Sequence, residues 1–177
     1  MPTDALPQPP EFDAVETWAG AGRVIRAGEP ELASWELPEQ QKSALVTSGV
    51  PIIDGLVDVV SFQVKPTMYQ LAQAGGQDRV FGAAAVTGAV VEHSTEAGMR
   101  FVNSSIVHWL WSLHLVGSWV TGSVALARWD ESPEAEEQTF AEIAALLERI
   151  RELDPPAVGD GSHDDHFWPA VLDRWLY

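Results

Sequence analysis

The stretch FVNSSIVHWLWSLHLVG, Phe101 to Gly117, decides how the rest of the chain must be arranged. It reads as the end of a strand, a cap, and a helix with almost no solvent face. Asn103, Ser104 and Ser105 offer side-chain oxygens to the free N–H groups of a helix start. At about 100° per residue, Ile106, Trp109, Leu110, Leu113 and Val116 fall on one stripe. Val107, Trp111 and Leu115 form a second apolar side, which leaves His108, Ser112 and His114 for a polar edge. A helix apolar nearly all round is covered on more than one side. The stretch therefore predicts a central helix packed on a sheet and roofed by other helices.

Upstream, the segments Val57–Val64, Tyr69–Ala72, Arg79–Gly82, Val86–Val91 and Met99–Val102 read as short strands. Gly75-Gly76 and Thr87-Gly88 are turns between them. Such short connections join antiparallel neighbours and leave no room for βαβ crossovers. Further upstream, Leu37–Ser48 reads as a helix with Pro38 in its first turn. Ala44 and Leu45 are expected to face in, and Gln41 and Lys42 out. Gly49 suits the residue after the helix end, and Pro51 blocks continuation. Val24–Arg26 is a short strand candidate, and residues 1–13 are expected to form an unpacked tail.

Downstream, Trp119–Trp129 reads as helix rather than strand, weakened by Gly117 and Gly122. Ser132-Pro133 opens a clear helix, with Glu134, Glu136 and Glu137 at its positive end. Phe140, Ile143, Leu147 and Ile150 are expected to form its buried stripe, and Asp154-Pro155-Pro156 stops it. A last helix spans Phe167–Leu176, where Trp168, Val171, Leu172 and Trp175 repeat at helical spacing. Pro169 is tolerated there because it falls in the first turn. These elements predict an α+β fold: a small, mainly antiparallel sheet with helices packed around it, in a single domain over residues 14–177.

Hydrophobic residues at 46% and charged residues at 20% are values of a folded globular chain. No apolar run is long enough for a membrane span, and the acidic, Pro-rich N-terminus is unlike an export signal. With no Cys as well, a cytoplasmic location is expected. The formal net charge is −16. Residues 130–177 hold 13 acidic and 3 basic residues, so the acidity is concentrated toward the C-terminus. Such a field repels nucleic acid and anionic membrane, and steers the protein toward basic partners. Asp130, Glu131, Glu137, Asp160, Asp164 and Asp165 are the candidate contact residues. Trp129 joins them, because it sits among polar residues and Trp is enriched at binding hot spots.

Signatures of chemistry are few. Gly20 and Gly22 begin a dinucleotide fingerprint, but Ile25 occupies the third glycine position and no clear strand precedes them. His163-Asp164-Asp165-His166 is the most metal-like cluster, yet it sits in a Gly-rich loop where Asp165 serves as a helix cap. His108 and His114 are six residues apart and point to different sides of a helix. There is no P-loop, no GxSxG elbow and no thiol. The reading is of a non-enzyme that uses no cofactor and no metal.

Taken in order, several segments resemble a known family. They are the helix ending in SGVP, the strand Val59–Val64, the run VFGAAAVTGAVVEH, FVNSS entering a Trp/Leu-rich helix, and ELDPPA followed by FWPAVL. Together, over roughly residues 20–175, they resemble the SUKH superfamily, most of all its fourth, actinobacterial subfamily. The resemblance implies an α+β fold. It also implies an immunity protein that neutralises a cognate polymorphic toxin by binding it, the toxin being a nuclease or a nucleic-acid deaminase. An alternative within the same superfamily is a non-inhibitory adaptor or regulatory scaffold.

Overall fold

A computed structural model describes residues 5–76, 78–163 and 165–174. Helix α1 (Phe12–Ala19), strand β1 (Val24–Ile25), helices α2 (Glu29–Leu32) and α3 (Glu39–Thr47) and strand β2 (Val50–Pro51) come first. Strands β3 (Val59–Val64), β4 (Tyr69–Ala74), β5 (Arg79–Ala83), β6 (Val90–Ser94) and β7 (Gly98–Asn103) follow. Helices α4 (Ile106–Gly122), α5 (Val124–Ala127), α6 (Pro133–Leu153), α7 (Pro155–Val158) and α8 (Phe167–Arg174) close the described chain. The five middle strands form one sheet in sequence order, each pair antiparallel. β1 and β2 pair as a separate antiparallel ribbon. The expected α+β architecture is what the chain adopts. Among the described residues no helix is long and apolar enough to cross a membrane.

The central helix is α4. Ile106, Trp109, Leu110, Leu113 and Val116 are all buried, and Val107 and Leu115 on the second side are buried too. Phe81 of β5 joins the sheet to this core, with its ring 5.7 Å from Trp109 and 5.5 Å from Phe167 of α8. Trp35, after α2, stacks on Tyr69 of β4 at 4.7 Å.

Three polar residues expected at surfaces or caps are instead buried in this frame. Ser112 is not on a polar edge: it is buried, and its hydroxyl donates to the His108 carbonyl. Gln41 does not face solvent. Its Nε2 donates to the Thr87 carbonyl at 2.8 Å, and its Oε1 accepts the Ile106 N–H at 2.9 Å. Gln41 thus satisfies a free N–H of α4 from a different helix, alongside Ser105, whose Oγ accepts from His108 N at 3.1 Å. Gly88 makes room for it: a Cβ there would lie 2.0 Å from Gln41 Oε1. Asn103 does not cap α4 either, but joins a buried network with Ser112, Asp154 and Trp168.

Other departures have local causes. The strand expected at Val86–Val91 starts only at Val90, because Ala84–Ala89 form the turn. Val86 sits there at φ 71°, a costly conformation for a β-branched residue, with its N–H bonded to the Glu36 carbonyl. In α6 the buried face is Thr139, Ile143, Leu146 and Ile150, while Phe140 is 40% exposed and Leu147 half-buried. α4 runs on through Gly117 to Gly122, and α5 follows, so 119–129 is largely helical as read. Trp175 and Leu176 lie outside the described residues.

The segment expected as a tail is packed from Leu6 onward. Gln40 Nε2 donates to the Leu6 carbonyl at 3.1 Å, Trp111 Nε1 donates to the Gln8 carbonyl at 2.7 Å, and Ser48 donates to the Pro10 carbonyl. Helix α1 then lays Trp18 across α4 at Gly117, where a Cβ would lie 2.1 Å from the indole. That close approach explains a glycine in the middle of a helix.

Trp18 Nε1 donates to His114 Nδ1 at 3.0 Å. An accepting Nδ1 requires a neutral ring with its proton on Nε2. Burial first, and then the charge of Arg149, hold His114 below its ordinary value. A histidine held low when folded takes up its proton on unfolding, so its contribution is present above about pH 6.5 and is lost as pH falls below it. The melting temperature should therefore drop on acidification through this range more steeply in the wild type than in His114→Gln. Equal slopes for the two proteins would show that His114 does not carry the effect.

Candidate partner-binding surface

The acidic C-terminal third is built around α6. Ser123 ends α4 and caps α5 by accepting from Leu126 N at 3.0 Å. Its hydroxyl also donates to Glu142 Oε2 at 2.5 Å, and Trp119 Nε1 donates to the same oxygen at 2.9 Å. These donors, Ser123 first and then Trp119 and Gln138, hold the Glu142 carboxyl below its usual range against the opposing effect of burial. Glu142 is thus an anchor that ties α4 and α5 to α6. It is absorbed by the fold rather than offered to a partner.

Ser132 starts α6 by accepting from Ala135 N at 3.1 Å, with Pro133 at the first position. Asp130, Glu131 and Glu137 are exposed here as expected. Glu131 is partly neutralised by Arg128, whose Nε donates to it at 2.7 Å. Trp129 is not a bare surface indole: it is half-buried and packs against the core. The flanking helices α5 and α6 present other apolar groups. Val124 is 72% exposed, and Phe140 lies one turn along α6 from Glu136 and Glu137. Phe140 escaped sequence reasoning because its spacing fits the buried stripe. Thr139, a polar residue, takes the inward position instead, donating to the Ala135 carbonyl at 2.7 Å.

The second acidic group lies past the other end of α6. Asp160 accepts from Ser162 N at 2.9 Å and sits 3.1 Å from His166 Nε2. The Ser162 N–H first, and then His166, hold its carboxyl below the ordinary range. His163 Nδ1 lies 3.1 Å from Asp173 of α8. The two histidines therefore have separate carboxylate partners and pin the loop onto itself and α8. Among the described residues no group of three or more His, Asp or Glu is placed to hold a metal ion. Asp165 is exposed, with Ser162 Oγ 3.4 Å away, and Asp164 lies outside the described residues.

The 21 residues of α6 separate the two acidic groups by about 30 Å. They form two patches, one at each end of the helix, with Phe140 and Ala144 exposed on the face between them. A partner covering both would have to lie along α6.

A family model described as SUKH-4 immunity protein matches residues 10–174. No curated protein and no solved structure matches the chain.

Proposed function

The chain belongs to the SUKH-4 immunity protein family, and from that premise we propose that it binds a cognate polymorphic toxin in the cytoplasm of the producing cell and neutralises it by direct contact. The family match along nearly the whole chain carries this reading. The charge supports a more specific form of it. A toxin that cuts or deaminates nucleic acid needs a basic groove for its substrate, and a chain of net charge −16 is steered toward such a groove over long range.

The α6 face is the contact surface this reading selects. Part of its charge has a local purpose, since Glu134 and Glu136 complement the helix dipole. Asp130 and Glu137 are exposed and have no such role as caps. Phe140 supplies an exposed aromatic ring among them, the kind of side chain that anchors interfaces.

Charge that steers association acts on the on-rate and is screened by salt. Neutralising Asp130, Glu131 and Glu137 together, or Asp160, Asp164 and Asp165 together, is expected to slow association with the cognate toxin by about tenfold at low salt and to flatten its salt dependence. Phe140→Ala should instead speed dissociation by roughly tenfold. Stopped-flow association over a salt series measures both. If neither triple variant changes the on-rate, the acidic third is only a solvated surface and the interface lies on the strand side.

A further inference from the structure

A cleft of about 900 Å³ opens at one end of the sheet, between the β4–β5 turn, the β6–β7 hairpin and α8. It gathers an unusual share of scarce charge. The chain has only 10 Lys and Arg, and three of them, Arg79, Arg100 and Arg174, line this one cleft. Glu92 lies at its floor, buried. Arg100 donates Nε and Nη2 to Glu92 Oε2 at 3.2 and 2.7 Å, and Arg79 Nη1 reaches Oε1 at 3.5 Å. Arg79 is also held by the Gly55 carbonyl at 2.9 Å, and the Arg100 guanidinium sits 5.1 Å over the Phe167 ring. Both guanidinium groups are thus fixed before any ligand arrives.

Two arginines suffice to pair one buried glutamate. The third comes from a different element, the last turn of α8, and makes no ion pair among the described residues. Partial desolvation first, and then the charges of Arg79 and Arg100 against the opposing pull of Glu92, hold its proton affinity below the ordinary value. Glu92 is the one buried carboxylate these three guanidinium groups share, so positive charge exceeds negative at the cleft floor, and an added anion between them offsets the remaining repulsion. Guanidinium groups match a carboxylate or phosphate with two parallel hydrogen bonds.

We propose that this cleft is a binding site for a small oxyanion, a carboxylate or a phosphate group, seated between Arg174 and the Arg79–Arg100 pair. The rim explains why the ligand is small. Asp78, Glu96 and Asp165 surround the opening and are exposed, and the whole chain is strongly acidic. A polyanion such as nucleic acid is repelled at long range and again at the rim. A single small anion carries less charge past that rim and is repelled less. This site is at the sheet end, and its occupancy does not depend on the proposed toxin contact along α6.

The test uses the full chain, titrated at constant ionic strength with inorganic phosphate and, separately, with glutarate. A saturable rise in melting temperature of about 2–4 °C is expected at roughly ten times the dissociation constant. Phosphate acting alone identifies a phosphoryl ligand, and glutarate acting alone a carboxylate; both acting identifies a general oxyanion site. Arg174 is exposed, so Arg174→Gln should melt normally in chloride but bind the effective probe at least tenfold more weakly. Arg174→Lys keeps the charge without the planar fork, and should fall between the two. A flat response to both probes overturns the proposal, as does a response that Arg174→Gln and Arg174→Lys both leave intact.

Discussion

Asp154→Ala is expected to destabilise the protein by about 3–5 kcal/mol, because it strips the acceptor from three donors at once, one buried and two half-buried. Asp154 is 2% exposed at the junction of α6 and α7. Its carboxylate accepts from Asn103 Nδ2 at 2.9 Å, Ser104 N at 2.8 Å and Ser104 Oγ at 2.6 Å. Asn103 in turn donates to Ser112 Oγ at 3.2 Å and accepts from Trp168 Nε1 at 3.0 Å. One carboxylate thus joins the end of β7 and the start of α4 to the turn after α6, and through Asn103 to α8. A buried donor left without a partner, such as Asn103 Nδ2, costs about 1–3 kcal/mol, and rescue by water lowers the cost at the half-buried Ser104 donors. Asp154→Asn keeps the shape but turns an N–H₂ toward one of the donors, so it should cost less, about 1–3 kcal/mol. Urea denaturation of the three proteins measures this. A loss under about 1 kcal/mol for Asp154→Ala would falsify the view that this network holds the helices to the sheet.

This network marks the boundary of what was legible in the sequence. The apolar stripe of α4, the five sequential strands and the Ser132-Pro133 start of α6 depend on local spacing and chemistry, and spacing was enough to read them. Asn103 and Gln41 depend on partners 51 and 65 residues away. No local pattern distinguishes an asparagine that caps the next turn from one that reaches a distant buried carboxylate. The same holds for α1, whose place is set by Trp18 meeting Gly117 and His114 on another helix. At the candidate surface, the exposed acids were readable because charge seldom goes inside unpaired. The pairing of Glu131 with Arg128, the packing of Trp129 and the exposure of Phe140 were not. Each depends on which side of a helix the rest of the chain happens to cover.

Leu113→Ala is expected to cost about 2–5 kcal/mol, and it tests whether α4 is the element around which the fold is built. Leu113 is fully buried on the inner stripe. Truncating it removes buried methyl groups and leaves a cavity that fixed surroundings cannot refill. Those surroundings are constrained from several directions. The first turn of α4 is held by Gln41 from α3, its middle by Trp18 from α1, and Ser112, the neighbouring residue, by the Asn103 network. A site tied on that many sides collapses poorly, which places the expected loss toward the upper part of the range. Val124→Ala provides the contrast, since Val124 is 72% exposed and should change stability by less than about 0.5 kcal/mol. If thermal and chemical denaturation give Leu113→Ala a loss under about 1 kcal/mol, α4 is able to shift against the sheet. The dense packing that defines it as central would then be wrong.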